Sequence, residues 1–134
     1  MTDAMPTTLT LDGHRIHDIA SLYDEINRVC MADENWQLGP SLDALDDLLY
    51  GGYGALDGDA RVTLVWTDFE ASRTALGIAA TRHYLQGKLD APGRFDRVRF
   101  QAELDALDAG TGQTYFDIVL SIIAAHPNIT LVPA

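Results

Sequence analysis

The chain has 134 residues, with 20 acidic and 9 basic side chains, a formal net charge of −11 and one cysteine. This length suggests one domain. The charge argues against binding to nucleic acid or to an anionic membrane, because both need clustered Lys and Arg. A basic protein partner, or solubility alone, accounts better for the excess of carboxylates.

The cysteine content and the N-terminus favour a reducing compartment. Cys30 has no second cysteine to pair with, and we interpret it as a buried or half-buried apolar side chain, not as a nucleophile. The opening "MTDAMPTTLT" lacks the basic start and apolar run of a secretory signal. No segment approaches the roughly 18–20 apolar residues that span a membrane. We therefore expect a cytoplasmic protein.

The first third of the chain predicts one strand and two helices. "TTLTLDGHRI" alternates apolar and polar residues before an Asp-Gly turn, which predicts a strand near Thr7–Leu11. Asp18 is a good N-cap for a first helix with apolar residues at three- and four-residue spacing. After the loop "ADENWQLGP", Ser41 is a good N-cap for a second helix, which the glycines Gly51 and Gly52 end.

The remainder predicts two strands separated by helices. After the turn "LDGD", Val62–Trp66 is a buried strand, and Thr67 with Glu70 forms a capping box that starts a helix. Residues 77–110 are helical with a break at "APG". Thr114 with Asp117 starts a last helix, through about Ala125, before a strand at Ile129–Val132. The expected fold is α/β, a small three-stranded parallel sheet packed with helices.

The second helix has two unlike faces. Leucines at buried-stripe spacing occupy one face: Leu42, Leu45, Leu48 and Leu49. Residues at i, i+3, i+4 and i+7 occupy the other: Asp43, Asp46, Asp47 and Tyr50. Like charges at this spacing repel by roughly 0.2–0.5 kcal/mol per pair. No Lys or Arg occurs from Met31 to Ala60 to offset them.

The spacing alone leaves a solvated and a functional acidic face open. The helix dipole favours Asp43 in the first turn but gives no help to Asp46 and Asp47. Functional uses are a metal site, acid–base catalysis, or a negative face that fills a positive cleft on a partner. The chain has no EF-hand loop, phosphate loop or nucleophile elbow. Its scattered histidines are interpreted as surface or capping residues: His14, His17, His83 and His126.

Four blocks, in this order, carry a resemblance to a known family: "LDGHRIHDIASLYDEI", "SLDALDDLL" followed by glycines, "VTLVWTDFEAS" and "FDIVLSIIAAHPNITLVPA". They resemble the first turn and helix, the second helix, the second strand with the third helix, and the final helix and strand of the barstar-like family. Members of this family inhibit bacterial ribonucleases. The resemblance therefore implies a barstar-like fold and an inhibitor or immunity protein without a cofactor.

The resemblance also implies a role for the acidic helix. In the family, this helix and the loop before it cover the active site of a basic bacterial ribonuclease or nuclease toxin, and the carboxylates stand in for substrate phosphates. Asp47 matches the principal carboxylate, and Asp43 matches a second contacting one. Leu42 and Gly51 match further contact positions. The expected partner-binding residues are Asp43, Asp47, Asp46, Leu42, Gln37 and Gly51.

Several positions depart from the family pattern. Ser41 replaces the Asn at the helix start, and Asp46 replaces an aromatic residue between the two aspartates. Gln37 stands where a contacting Tyr occurs, with Trp36 as the only aromatic nearby. Ser121 stands where a further contacting carboxylate occurs. A nuclease toxin related to the family's usual target is therefore a better partner than that target itself.

About thirty residues, near Arg82–Gly112, have no counterpart in the best-known members of the family. We interpret this basic stretch as a helical insertion at the surface of a single domain spanning residues 1–134, in preference to a second binding site. Two other functions stay open. A barstar-like interaction module with a non-nuclease partner is the first alternative, and an enzyme using the Asp43 and Asp47 carboxylates is a distant third.

Overall fold

The computed structural model describes residues 7–51, 53–56, 61–91 and 96–134. Three strands form one sheet in the order β1-β2-β3, with both pairs parallel: β1 (Thr7–Asp12), β2 (Val62–Thr67) and β3 (Ile129–Pro133). The central strand β2 alternates buried and half-buried residues, as expected for a strand with neighbours on both sides. The predicted α/β fold with a three-stranded parallel sheet is confirmed.

Helices connect the parallel strands, which cannot be joined by a tight turn. Within the described residues there are six: α1 (Ile19–Cys30), α2 (Leu42–Leu49), α3 (Phe69–Ala75), α4 (Ile78–Asp90), α5 (Arg97–Asp108) and α6 (Tyr115–Ala124). Helices α1 and α2 lie between β1 and β2 in the chain, and the other four lie between β2 and β3. No helix in the described ranges combines the length and apolar character required to cross a membrane.

Two predicted helix starts have the expected cap geometry. The Asp18 carboxylate accepts a hydrogen bond from the Ser21 backbone N–H at 2.8 Å. Thr114 and Asp117 form a reciprocal capping box at the start of α6, at 3.2 and 3.0 Å. Each cap satisfies backbone donors that a helix start leaves unpaired.

The capping box predicted for Thr67 and Glu70 is wrong. Helix α3 begins one residue later, after Asp68, which has φ +47° and makes no side-chain cap bond. The Thr67 hydroxyl instead donates to the Leu11 carbonyl at 3.2 Å and accepts from the Gly13 N–H at 3.3 Å. The hydroxyl therefore satisfies the end of the neighbouring strand β1, and Glu70 pairs with an arginine one turn along α3.

The main core lies between the sheet and the surrounding helices. Trp66 is fully buried, and its indole N–H donates to the Ser72 hydroxyl at 2.9 Å. Its ring packs against Phe116, with the ring centroids 5.5 Å apart. The buried hydroxyls of Tyr23 and Tyr115 share a hydrogen bond of 2.7 Å. These polar atoms are all paired, so the core keeps its aromatic packing without an unsatisfied donor.

Helices α4 and α5 form a hairpin with an apolar cluster of its own. The cluster contains Leu85, Leu89, Phe100, Leu104 and Leu107. Tyr84 packs against this cluster and against the main core, and its ring lies 5.1 Å from that of Tyr115. The predicted break is confirmed, because α4 ends at Asp90 and α5 begins at Arg97. Most of "APG", and most of the predicted "LDGD" turn, lie outside the described residues.

We predict that Ser72→Ala lowers the free energy of unfolding by about 1–3 kcal/mol, because it leaves the buried Trp66 indole N–H without an acceptor. Ser121→Ala is the matched control, since Ser121 is exposed on α6. Urea unfolding followed by far-ultraviolet circular dichroism measures both changes. Equal changes for the two variants would contradict the importance assigned to this hydrogen bond.

Candidate partner-binding site

Helix α2 is fixed by its apolar face and its N-terminal cap. The Ser41 hydroxyl accepts from the Ala44 N–H at 3.0 Å, as predicted. Leu45, Leu48 and Leu49 are buried in the main core, and α2 packs against α6. Helices this short are not stable alone in water, so packing supplies most of the stability of α2. Leu42, at its first turn, is only half-buried.

Asp43 and Asp47 are exposed on the other side of α2. Within the part of the chain that the structure describes, neither carboxylate forms an ion pair. Asp43 lies in the first turn, where the helix dipole favours a negative charge. The helix therefore presents two solvated carboxylates from a fixed backbone.

Asp46 lies in a different environment from its neighbours. Its Oδ1 is 2.7 Å from Nε2 of His126, and the Asp46 side chain is 41 % exposed. An ionised carboxylate only accepts hydrogen bonds, so we assign the donor role in this contact to His126 Nε2. His126 is 5 % exposed, so its interpretation as a surface histidine is wrong. This partner is 80 residues away along the chain, which explains why the local sequence around α2 showed no offsetting group.

The C-terminal end of α2 is a tight reversal. Gly51 has φ +87° and is buried, and its N–H donates to the Leu48 carbonyl at 3.0 Å. A residue with a Cβ would be strained at this φ, so the predicted glycine stop is confirmed for Gly51. Gly52 lies outside the described residues. Tyr50 is 73 % exposed and meets the His126 ring edge-on, with centroids 4.7 Å apart.

The loop before α2 is held by a buried amide. The Asn27 side chain on α1 donates to the Leu38 carbonyl at 3.2 Å and accepts from the Leu38 N–H at 2.7 Å. This pair of bonds fixes the backbone next to Gln37, whose side chain is exposed. The loop thus reaches α2 from an anchored position, and Gln37 lies at the surface beside the helix start.

Aromatic residues border the acidic face on the loop side. Trp36 is 45 % exposed, and its ring centroid is 4.9 Å from that of Tyr53. Partial burial and the negative charge of Asp47 raise the pKa of Tyr53. Trp36 is therefore not the only aromatic residue near the site. The linear sequence concealed Tyr53, because the reversal after α2 returns it toward the helix.

The α4–α5 hairpin lies close to the first turn of α2. Burial is the main cause that raises the pKa of Tyr84, followed by the charge of Glu103, with a smaller contribution from Asp43. A groove of about 320 Å³ extends from Leu42 on α2 to Arg99 and Glu103 on α5. The surface around α2 therefore includes part of the predicted insertion.

Within the described ranges, no cluster of three or more His, Cys, Asp or Glu residues is arranged to hold a metal ion. Cys30 is buried, and burial, helped by the charge of Glu25, raises the pKa of its thiol to about 12. The interpretation of Cys30 as an apolar residue is confirmed.

We predict that Asn27→Ala loosens the loop before α2, because both hydrogen bonds to the Leu38 backbone are lost. The Leu38 amide should exchange with deuterium at least roughly tenfold faster, the change that a loss of about 1.4 kcal/mol produces. Asn35→Ala is the matched control, since Asn35 is exposed in the same loop. Unchanged exchange at Leu38 in Asn27→Ala would contradict the anchoring role.

We predict that Cys30 reacts with iodoacetamide far more slowly in the folded chain than in denaturant at pH 8. Its raised pKa leaves almost no thiolate at this pH, and burial blocks access. Mass spectrometry of timed samples measures the alkylated fraction. Comparable rates in the two states would show that the thiol is reached without unfolding.

Comparison with known proteins gives one family match. The model of the Barstar family, described as "Barstar (barnase inhibitor)", matches residues 7–105. This range includes β1, β2, α2 and the loop before it, and it ends within α5. No curated protein matches the chain. The correspondence of α6 and β3 to the last helix and strand of the family stays a prediction. Because the matched range covers well over half of the sequence, the chain belongs to the barstar family.

Proposed function

We propose that the protein is a stoichiometric, non-covalent inhibitor of a basic bacterial ribonuclease or nuclease toxin, acting as an immunity protein in the cytoplasm. The observation that carries this proposal is the pair Asp43 and Asp47, exposed and without an ion pair in the described structure, on the second helix of a barstar-family chain. Helix α2 enters the active site of the nuclease, and the two carboxylates occupy subsites for substrate phosphates.

Charge complementarity supports this partner class. A ribonuclease binds a polyanion, so its active-site cleft is positively charged. The inhibitor has a net charge of −11, which accelerates the encounter with a basic protein and makes the association rate sensitive to salt. The charges of Asp43, Asp46 and Asp47 add to the potential at the face that enters the cleft.

The order of the free protein supports tight binding. The Ser41 cap and the buried leucines fix the backbone of α2 before the partner arrives, so less conformational entropy is lost on binding. Repulsion among the aspartates raises the free energy of the free inhibitor, and cationic side chains of the partner relieve it. Asp47 is the principal contact and Asp43 the second, with Leu42 and Gln37 at the edge of the interface, while the buried Gly51 ends the helix beside them.

The departures from the family pattern favour a nuclease that differs from barnase. Asp46 replaces an aromatic surface with a carboxylate, and exposed Ser121 lacks the charge found there in the family. Trp36, supported by Tyr53, presents an aromatic surface in the loop, although Gln37 replaces the contacting tyrosine. These changes suit a related cleft with altered contacts around the same phosphate subsites.

A non-nuclease partner is the second candidate. The observation that favours it is the α4–α5 hairpin, which lies close to the first turn of α2 and creates the groove between Leu42 and Glu103. The resemblance implies that this hairpin is an insertion relative to the best-known inhibitors, and a barstar-family interaction module could use it to select another basic protein. Such a module would bind its target without inhibiting a ribonuclease.

We predict 1:1 binding to a catalytically inactive barnase-type ribonuclease, measured by titration calorimetry, with weaker affinity at higher salt. The double variant Asp43→Asn/Asp47→Asn should lose about 2 kcal/mol or more of binding free energy, or roughly 30-fold in Kd. The matched control Asp90→Asn/Asp105→Asn removes the same charge from the α4–α5 hairpin, where both residues are exposed.

The outcomes of this titration distinguish the two proposed functions. Equal weakening by both double variants would show that net charge alone drives the interaction. Binding that neither variant changes would exclude α2 as the contact. If the wild-type chain binds no barnase-type nuclease, and the proteins it captures from its source cell have no nuclease activity, the non-nuclease module is favoured.

A further inference from the structure

We propose that His126 is a positioning residue for the partner-binding face. Through Asp46 it holds the C-terminal half of α2, and it thereby sets the direction in which Asp47 points. We call the Asp46–His126 hydrogen bond the His126 tether. Asp46 thus acts mainly within the protein itself, as the acceptor in this tether. The effect of the tether on partner binding rests on the proposed function, but the tether itself does not.

The base of the tether is rigid. The His126 backbone N–H donates to the Ile123 carbonyl at 3.1 Å, at the end of α6, and its carbonyl accepts from the Ile129 N–H at 3.1 Å, at the start of β3. Its side chain is 5 % exposed. Because both sides of the residue are tied to regular structure, the imidazole has little freedom to follow a moving helix. The fixed imidazole therefore constrains the position of α2.

Helix α2 needs such a partner at its C-terminal half. It has eight residues and no basic residue in its last turn. The negative end of the helix dipole and the neighbouring carboxylate of Asp47 both disfavour the charge of Asp46 at this position. An imidazole donor 2.7 Å from Asp46 Oδ1 offsets this cost. Hydrogen bonds to an ionised group are among the stronger ones in proteins.

Tyr50 shields the tether. Its ring meets the His126 ring edge-on at 4.7 Å, with an interplanar angle of 84°. An aromatic cover reduces the access of water to the imidazole, and a hydrogen bond with less competing water is stronger. Tyr50 and Asp46 are four residues apart, so both residues approach His126 from the same side of α2.

Fixing Asp46 fixes Asp47. Consecutive residues of an α-helix differ by about 100° in direction, because 3.6 residues complete a turn. When Asp46 is held toward His126, Asp47 is directed away from that contact and is exposed. Rotation of α2 about its axis would break the tether before it could turn Asp47 away from the partner. The tether therefore acts on orientation, in addition to stability.

The test compares deuterium exchange of the α2 amides in the wild-type chain, His126→Leu and His126→Gln. Leucine keeps apolar volume but has no donor, whereas the glutamine amide places a donor near the position of imidazole Nε2. We expect His126→Leu to raise exchange at Tyr50 and Gly51 by roughly tenfold relative to the β2 amides, and His126→Gln to restore most of the protection. Asp46→Ala should give the same increase, with little added in the double variant.

Two results would overturn the proposal. One is exchange that rises equally in α2 and in β2, which means that His126 only supports global stability. The other is an Asp46→Ala effect that adds fully to that of His126→Leu, which means that the two residues act independently. This experiment needs no partner, so it decides the tether even if the proposed inhibitor function fails.

The effect on binding is measured separately with the inactive barnase-type ribonuclease. We expect His126→Leu to weaken binding by roughly fivefold or more while His126→Gln stays close to wild type, since the charges of Asp43 and Asp47 are unchanged in both. Equal affinities for wild type and His126→Leu would show that the orientation of Asp47 does not depend on the tether. If the wild-type chain does not bind this nuclease, the inhibitor proposal fails for this target, and the exchange data still stand.

Discussion

The burial of three leucines determines which way the aspartates of α2 face. Leu45, Leu48 and Leu49 are buried in the main core. The opposite side of this helix of little more than two turns therefore faces outward. Without this packing, a helix of this length would not be stable in water. The core therefore sets the orientation of the acidic face, which depends on the same apolar contacts that stabilise the fold.

Two polar side chains add to the leucine packing in fixing the position of α2 and of the loop before it. The Asn27 amide holds the Leu38 backbone before α2, and His126 holds Asp46 toward its end. One anchor comes from α1 and the other from the junction of α6 and β3, so elements from both halves of the chain hold α2 and the loop before it. A surface organised in this way is ordered in the free protein, so a partner that bound it would cost less conformational entropy.

Local patterns in the sequence were sufficient to predict the three strands, most helix starts and the leucine face, because each depends on residues close together in the chain. The surroundings of the site could not be predicted in this way. His126 meets Asp46, and Tyr53 meets Trp36, only through the fold, so no spacing rule around Asp46 or Trp36 could reveal them. Thr67 shows the opposite failure: its capping pattern is sound locally, but its hydroxyl bonds to Leu11 across the sheet.

The α4–α5 hairpin divides the apolar interior into two clusters. Tyr84 is the one described residue that packs against both. Local unfolding follows such divisions, since a unit with its own small core opens at a lower free energy than the sheet. We therefore expect the hairpin to open at a lower free energy than the three paired strands, once Tyr84 and the buried Thr81–Tyr115 hydrogen bond release it. The same division means that a change in the hairpin sequence would act mainly on its own apolar cluster, and would disturb α2 and the main core less.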